Sequence, residues 1–387
     1  DAPLWDDVGE SPVFQPDPEF ALKPSRDRDR DASRDKNRSS SSVVSLEDLY
    51  DSFPEIGKGD WKLRITRFEP KSFRGHSTAG FLCELYDRIS LEEFRSRFGG
   101  GVSATGTNVF ATNGVGDVAS LAADTGALVW KKRPAGPLRG APTLSNGNVY
   151  VMTQDNQIYA LRQSDGEAQW NEAGPVSASG IFGVGAPAAA QGTIIAGYSS
   201  GELAAYRYEN GRSLWSDTLS RTAMSTSVST LTDIDADPVI DRGRVFALGK
   251  GGRMASYELV SGQRIWEINI AGISTPVTSG EWVFVMTDEA RLLCVARSTG
   301  KIRWISKLQR YKNEKKKKKP ISWYGPVLAG GRLVITNSHG AVWSVAPDEG
   351  TATEILDVGN DVSLAPIVAN NILYILDDSG RISAFRG

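Results

Sequence analysis

The sequence predicts an all-β fold, a β-propeller of four-stranded antiparallel blades over residues 101–387. Three observations predict it: a unit that recurs along the chain, fixed spacings inside that unit, and variable lengths between units. Fixed internal spacing with variable linkers is typical of a structural repeat that tolerates loop insertions. Four short strands per unit correspond to one propeller blade, and stacked blades bury each other's faces.

A proline opens each unit, and a glycine and a tryptophan follow it at fixed distances, as Gly166 and Trp170 follow Pro142. The same two spacings give a glycine in each of the first five proline units and a tryptophan in four of them. Glu354 takes the tryptophan position in the fifth. An earlier copy has Val102 in the proline position and ends at Trp130, which makes seven copies. The six prolines are Pro142, Pro187, Pro238, Pro276, Pro326 and Pro366.

The unit from Pro142 to Trp170 shows how the strands are predicted. Asn146-Gly147 is a hairpin turn signal, and the alternating run that follows it is a strand. Further turn signals at 155–156 and 164–166 separate the third and fourth strands. We expect the tryptophan of the outermost strand to pack across to the neighbouring blade, a structural role that needs no cofactor.

The last unit stops after three strands, which leaves an open sheet edge. We expect a strand from before residue 102 to cover that edge, and residues 61–68 alternate best. Residues 1–45 are predicted to be a disordered, charged segment, since runs of Arg, Asp and Ser bury little apolar area. Residues 46–100 are predicted to form a small α+β segment, foreign to the propeller or supplying its closing strand.

Composition and charge narrow the function classes. The net charge of −2 produces no overall positive field that would attract nucleic acid. No apolar run is long enough for a membrane span. No signal peptide is visible at the N-terminus. Cys83 and Cys294 are expected to be inert, and with only His76 and His339 no catalytic, cofactor or metal site is predicted.

Residues 101–387 resemble the BamB family, the propeller lipoproteins of the outer-membrane β-barrel assembly machinery, in their alphaproteobacterial form. The segments that carry this resemblance are 138–142, 198–203, 213–221, 231–247, 326–333 and 338–340. The resemblance implies a scaffold at the periplasmic face of the outer membrane that binds the periplasmic repeats of BamA and the assembly complex. The resemblance also allows unfolded outer-membrane protein strands as a further partner, and it implies contact with the membrane only through a lipid anchor.

This sequence departs from that family in two ways. The family has eight blades and a lipid-bearing cysteine near the mature N-terminus, and neither the first blade nor that cysteine is recognisable here. Residues 1–100 look foreign to the family, with a junction near Gly99 to Gly101.

Two long connections between blades, 171–186 and 216–237, are expected to stand side by side on one face of the disc. The first carries an apolar tip and the second carries three aspartates. The resemblance implies a BamA-binding surface made by Ile181, Phe182, Asp233 and Asp235. The alternative is that the apolar pair packs under its own loop while the aspartates cap turns.

Two further motifs each allow a functional interpretation and a purely structural one. Asp233, Asp235 and Asp237 resemble a calcium loop, but the run lacks the glycine and glutamate that such a loop needs. Lys315 to Lys319 could attract anionic lipid or a partner, or form a solvated loop.

Two other functions stay open beside the scaffold. Pyrroloquinoline-quinone dehydrogenases are propellers with a similar repeat, so a quinoprotein-like enzyme is one alternative. Dye reduction in the presence of quinone and calcium separates it from a scaffold. The other alternative is a generic protein-binding propeller fused to an unrelated N-terminal module.

Overall fold

The computed structural model describes residues 43–44, 100–138, 140–175, 185–219 and 233–386, with the backbone alone at 43–44. Every regular element among these residues is a strand. None of the described residues belongs to a helix that could cross a membrane. The predicted α+β character of residues 46–100 concerns residues outside the described part, apart from Gly100.

Seven four-stranded antiparallel sheets form the blades of the propeller. The strands of the first four blades, from the innermost outward, are β2 (Val102–Ala104), β3 (Asn108–Thr112), β4 (Val118–Ala122) and β5 (Leu128–Lys132); β6 (Thr143–Ser145), β7 (Asn148–Met152), β8 (Gln157–Arg162) and β9 (Ala168–Ala173); β10 (Ala188–Ala190), β11 (Thr193–Gly197), β12 (Glu202–Arg207) and β13 (Ser213–Thr218); and β14 (Val239–Asp241), β15 (Arg244–Gly249), β16 (Arg253–Glu258) and β17 (Arg264–Ile268).

The last three blades follow the same order, and a two-stranded hairpin lies between the fifth and the sixth. Their strands are β18 (Val277–Ser279), β19 (Trp282–Thr287), β20 (Arg291–Ala296) and β21 (Ile302–Lys307); the hairpin β22 (Tyr311–Asn313) and β23 (Lys318–Pro320); β24 (Trp323–Ala329), β25 (Arg332–Asn337), β26 (Ala341–Val345) and β27 (Ala352–Asp357); and β28 (Ile367–Ala369), β29 (Ile372–Leu376), β30 (Ile382–Arg386) and β1 (Val43–Val44).

The turns are those that the sequence predicts. Asn146 and Gly147 both have positive φ, 50° and 75°, between β6 and β7. Two successive residues with positive φ match the right-handed twist of the flanking strands, which is why Asn-Gly is favoured there. The predicted all-β propeller is therefore confirmed, with all seven copies forming blades.

The core is divided into layers between neighbouring blades. In β15, Val245 and Ala247 face blade 3, whereas Phe246 and Leu248 face blade 5. Successive side chains of a strand point to opposite faces, so a strand buried on both faces is apolar along its whole length. Six layers of this kind join blade 1 to blade 7 in sequence.

A tryptophan at the outer rim joins each of the first five blades to the next one. The Trp266 indole N–H donates to the Arg297 carbonyl of blade 5 at 2.9 Å. Its ring covers Gly300, where a Cβ would lie 2.7 Å from the indole. The predicted packing of the tryptophans on neighbouring blades is confirmed. The rings of Trp130, Trp170, Trp215 and Trp304 cover Gly166, Gly211, Gly262 and Gly350 in the same way. Their indole N–H groups donate to the carbonyls of Gln163, Tyr208, Leu259 and Pro347.

The outer strand of blade 7 comes from the N-terminal part of the chain, but from a different place than the one predicted. Val43 and Val44 pair with Ser383 and Ile382 of β30. The sequence predicts residues 61–68 for this position, and these lie outside the described residues. Strand pairing needs only free backbone N–H and C=O groups, so side-chain alternation is a weak guide to which segment takes an edge.

Blade 7 is less covered than the others on the face that points away from blade 6. The six residues at the position of Tyr374 in the other blades are at most 5% exposed, whereas Tyr374 is partly exposed. On blade 1, the described cluster on the side away from blade 2 is small and contains residues of blade 1 alone. Among the described residues, no buried cluster joins blade 7 to blade 1. The six equivalent residues are Phe110, Tyr150, Ile195, Phe246, Phe284 and Val334.

We predict that Trp266→Ala destabilises the propeller by about 3–5 kcal/mol, the usual cost of removing a buried indole. It loses the ring contact with Gly300 and the hydrogen bond to Arg297. Urea unfolding followed by tryptophan fluorescence and circular dichroism measures this change. Glu354→Ala is the matched control, because Glu354 takes the same repeat position but is exposed. A loss in the control as large as that of Trp266→Ala would contradict the interpretation.

Candidate functional site

One face of the disc collects the connections between blades. Strands within a blade alternate in direction, so these connections share a face with the turns between second and third strands. We call this the connection face. The opposite face carries the turns between third and fourth strands, which hold the glycines under the tryptophans.

The connections that enter blades 2, 4, 5, 6 and 7 are fixed to the second turn of the blade that they enter. The Lys250 N–H donates to the Asp233 carbonyl at 2.8 Å, and the Asp288 N–H donates to the Ala271 carbonyl at 3.0 Å. Both donors occupy the same repeat position, at equal distances from the prolines that open their blades. The repeat therefore places residues of this position around the connection face, next to the incoming chain.

The segment 233–237 is held between the turns of blades 3 and 4. The Ile234 N–H donates to the Tyr198 carbonyl at 3.2 Å, and the Ile234 side chain is buried against Gly197. A side chain at Gly197 would clash with Ile234, because a Cβ there would lie 2.5 Å from it. Because Ile234 is buried, its neighbour Asp233 also lies below the surface, and Asp233 is 0% exposed.

The two long connections meet, as predicted, at the ends that the structure describes. The Ala186 N–H donates to the Asp237 carboxylate at 2.6 Å. Gly185 lies so close to the backbone of the second connection that a Cβ there would be 3.0 Å from the Ala236 carbonyl oxygen. The Asp237 N–H donates in turn to the Thr275 hydroxyl at 3.2 Å. Asp237 thus ties together three successive connections, those that enter blades 3, 4 and 5.

A cluster of charged side chains lies around Asp235. Burial, together with the nearby Asp233 carboxylate, raises the pKa of Asp235 to about 6, against the opposing effect of Lys250. The Lys250 ammonium is 2.7 Å from the Asp288 carboxylate, so its charge is shared between two acids. Asp235 Oδ2 is itself buried and has no hydrogen-bond partner among the described residues. The residue as a whole is half-buried, so a cation from outside could stabilise the carboxylate through the exposed part of the side chain.

The predicted site residues fall into three groups. Asp235 is half-buried on the connection face, and Asp233 is fully buried beneath it. A partner cannot reach the Asp233 carboxylate at the surface, since the burial of Ile234 fixes the segment. Ile181 and Phe182 lie outside the described residues.

Sequence reasoning missed two residues of the charged cluster, Lys250 and Asp288. A signal that could have found them is present in the repeat. Lys250 follows Pro238 at the same distance at which Asp288 follows Pro276, and both come just after the second strand of their blade.

The aspartate run does not act as one set of ligands in the described structure. Asp233 is buried, Asp235 faces Lys250 and Asp288, and Asp237 accepts a backbone hydrogen bond. No three His, Cys, Asp or Glu side chains of the described residues are grouped to hold a metal ion.

The cysteine that the structure describes is not a candidate nucleophile. Cys294 is a buried free thiol whose pKa is raised by that burial to about 11. A thiol with a raised pKa is a poor nucleophile at neutral pH, since the thiolate is the reactive form. Cys83 and His76 lie outside the described part.

Comparison with protein families identifies one match. The model of the family described as outer membrane protein assembly factor BamB matches residues 58–306. The match begins before Gly101, within the segment that is predicted from the sequence to be foreign to the family. The origin of residues 1–100 stays a prediction.

Individual relatives cover most of the propeller. An outer membrane protein assembly factor BamB from Yersinia pestis is 29% identical over 288 residues, 74% of this chain and 71% of the relative. The protein of the same name from Escherichia coli (strain K12) is 26% identical over 329 residues, 71% of this chain and 81% of the relative.

Solved structures show the same fold. The crystal structure of BamB from Moraxella catarrhalis has a TM-score of 0.66 at 20% identity, over 75% of this chain and 85% of that chain. A europium-containing methanol dehydrogenase has a TM-score of 0.55 at 14% identity, over 73% of this chain and 72% of that chain. At these identities the two structures support the propeller architecture and nothing further.

We predict that Asp235→Asn raises the free energy of unfolding at pH 7. A folded-state pKa of about 6, above the ordinary value of 3.8, means that the folded chain holds protons that the unfolded chain has lost. Stability therefore falls as the pH rises from about 4 to about 6. The variant lacks this ionisation, so its decline over that interval is shallower, with the raised pKa of Asp237 still contributing.

Urea unfolding at several pH values between 4 and 7 measures that decline. Asp165→Asn is the control, because the backbone N–H of Glu167 lowers the pKa of Asp165, a shift of opposite direction. An Asp235→Asn variant whose stability declines as steeply as that of the unmodified chain would show that Asp235 carries no ionisation cost.

Proposed function

The chain belongs to the family of outer membrane protein assembly factor BamB, and from that premise we propose a non-enzymatic scaffold subunit of the complex that assembles β-barrel proteins in the outer membrane. It works at the periplasmic face of that membrane. It binds the periplasmic repeats of BamA through the connection face of its disc. The observation that carries the proposal is the junction of two long connections at Ala186 and Asp237.

We call residues 181–182 and 233–237 the docking patch. The hydrogen bond from Ala186 to Asp237 and the close approach of Gly185 to Ala236 support one continuous surface at the described end of the patch. Ile181 and Phe182 are included in the patch because the sequence and its family resemblance predict them there. A docking surface with an apolar centre and charged groups beside it has the composition of known protein interfaces.

Within this patch, the aspartates have different roles. Asp235 is the contact residue, since its side chain is half-buried on the connection face, whereas Asp233 is fully buried. Asp233 is a positioning residue, since its carbonyl holds the turn of blade 4 through Lys250 and its charge raises the pKa of Asp235. A Lys or Arg of the partner beside Asp235 would gain from this arrangement, because it relieves the repulsion between the two carboxylates.

A non-enzymatic role is supported by what the repeated residues do. The tryptophans and glycines that this chain shares with quinoprotein propellers are accounted for by contacts between blades. The connections, where the blades differ most in length, carry the charged cluster. Variation is thus concentrated on a surface, as expected of a binding scaffold.

We predict that Phe182→Ala combined with Asp235→Lys weakens binding to the periplasmic repeats of BamA at least about 30-fold, the effect of losing a single strong interface contact. Titration of the purified repeats, followed by calorimetry, measures the affinity. Asp235 is changed and Asp233 is kept, because a substitution at the fully buried Asp233 would harm the fold.

The matched control is Val260→Ala with Asp165→Lys, an exposed apolar residue and a partly exposed acid on the opposite face. It should bind the repeats as the unmodified chain does. Equal affinity of the docking-patch variant and the control, with both folded by circular dichroism, would refute the assignment of the patch.

We also predict that affinity for the repeats falls as the pH drops through about 6. A partner cation beside Asp235 favours its ionised form, so binding is coupled to proton release near the pKa of the free chain. Calorimetry at pH 5 and pH 7.5 in buffers of different ionisation enthalpy counts the protons released. Asp235→Asn should remove this part of the pH dependence, and an unchanged pH profile in that variant would exclude Asp235 from the contact.

A further inference from the structure

The connection between blades 5 and 6 carries a basic hairpin, residues 310–320, that the docking patch does not use. Strands β22 and β23 pair Tyr311 with Pro320 and Asn313 with Lys318. Residues 312–320 are exposed without exception. Five successive lysines form the end of this hairpin and its second strand, Lys315 to Lys319.

The base of the hairpin is fixed to the propeller. Leu308 and Trp323, which flank it, are buried in the layer between blades 5 and 6. The Trp323 indole N–H donates to the Gln309 carbonyl at 2.8 Å, and the Ile321 N–H donates to the Arg310 carbonyl at 2.8 Å. The hairpin is therefore a defined projection from the connection face.

Its tip is held by two polar side chains that leave the lysines unneutralised. The Glu314 carboxylate accepts the N–H groups of Arg310 and Tyr311 at 2.7 and 3.2 Å. The Asn313 side-chain oxygen accepts the Lys316 N–H at 3.0 Å. The ion pairs among the described residues that contain a lysine involve Lys131, Lys132 and Lys250, and no lysine of the run.

The charge of this projection is large and local. Residues 310–320 carry seven cationic side chains and one carboxylate, whereas the whole chain has a net charge of −2. The seven are Arg310, Lys312 and Lys315 to Lys319. At physiological salt a charge acts over about 8 Å, so the hairpin attracts only a surface that it nearly touches.

We propose that the basic hairpin binds the anionic phospholipid headgroups of a membrane surface. The charges sit on a convex projection, which fits a flat surface better than a pocket. They are lysines, mobile point charges that suit a layer of phosphates free to rearrange, whereas fixed carboxylates or phosphates are more often held by the forked arginine side chain. Clusters of four to eight such residues are the recognised form of electrostatic lipid binding.

The side chains at the tip also define how the contact is made. Residues 312–320 contain no apolar side chain other than Pro320. Nothing in that stretch can insert into the acyl region, so the hairpin rests on the headgroups and is released by salt. Nucleic acid is disfavoured because that stretch has no aromatic ring on which a base could stack, and Tyr311 at the base of the hairpin is partly buried.

The test is sedimentation of the full chain with vesicles of phosphatidylcholine alone or of phosphatidylcholine with one-third phosphatidylglycerol. We expect binding to the anionic vesicles only, reversed by sodium chloride. Replacing Lys315 to Lys319 by glutamine should lower the partition coefficient at least about 100-fold, since each lysine near an anionic surface contributes roughly a factor of five. Replacement of the same five residues by arginine should preserve binding within a few-fold.

Two further controls make the outcome decisive. Arg212→Gln with Lys301→Gln removes exposed cations from the opposite face and should leave vesicle binding unchanged. Equal binding of the glutamine variant and the unmodified chain, or equal binding to both vesicle types, would overturn the proposal. Binding of single-stranded DNA without binding of anionic vesicles would overturn it in favour of nucleic acid. None of these results depends on the BamA repeats, so the docking patch can fail while the lipid contact stands, and the reverse.

Discussion

The contact between a rim tryptophan and a glycine of the next blade is the constraint on which the rest of the propeller depends. The glycine must lack a side chain, since a Cβ would enter the indole ring, and its φ of about 70° is one that other residues rarely adopt. The indole N–H reaches the carbonyl of the third residue before that glycine in each of these contacts. The sequence spacings inside each repeat unit are therefore fixed, whereas the connections between blades can vary in length.

That freedom explains where function can develop. A connection leaves the outer strand of one blade and must reach the inner strand of the next, where its end is fixed by hydrogen bonds to the second turn. Lys250 to Asp233 and Asp288 to Ala271 are two such bonds. Between its two fixed ends a connection can lengthen at little cost to the core, because loop-closure entropy grows slowly with length. The docking patch and the basic hairpin both arise in such lengthened connections.

Features that a single repeat unit determines can be predicted from the sequence. Features that depend on contacts between several units cannot. The Asn146-Gly147 turn and the partners of the tryptophans follow from local spacing. The burial of Asp233 could not be predicted, since it results from the packing of Ile234 against Gly197 of the preceding blade. The strand at Val43 and Val44 could not be chosen from sequence either, because backbone pairing with β30 leaves almost no side-chain signature.

The two charged features of the connection face suit two different kinds of recognition. Asp235 is half-buried, with a raised pKa and neighbours held by backbone hydrogen bonds. It therefore binds a cation favourably only when that cation is placed in one geometry. The lysines of the basic hairpin are exposed on a projection and form no ion pair among the described residues. They therefore attract nearby negative charge in any geometry. A rigid protein partner meets the first condition and a fluid headgroup layer meets the second. A disc that presents both on one face can bind a partner protein while that face is turned toward a membrane.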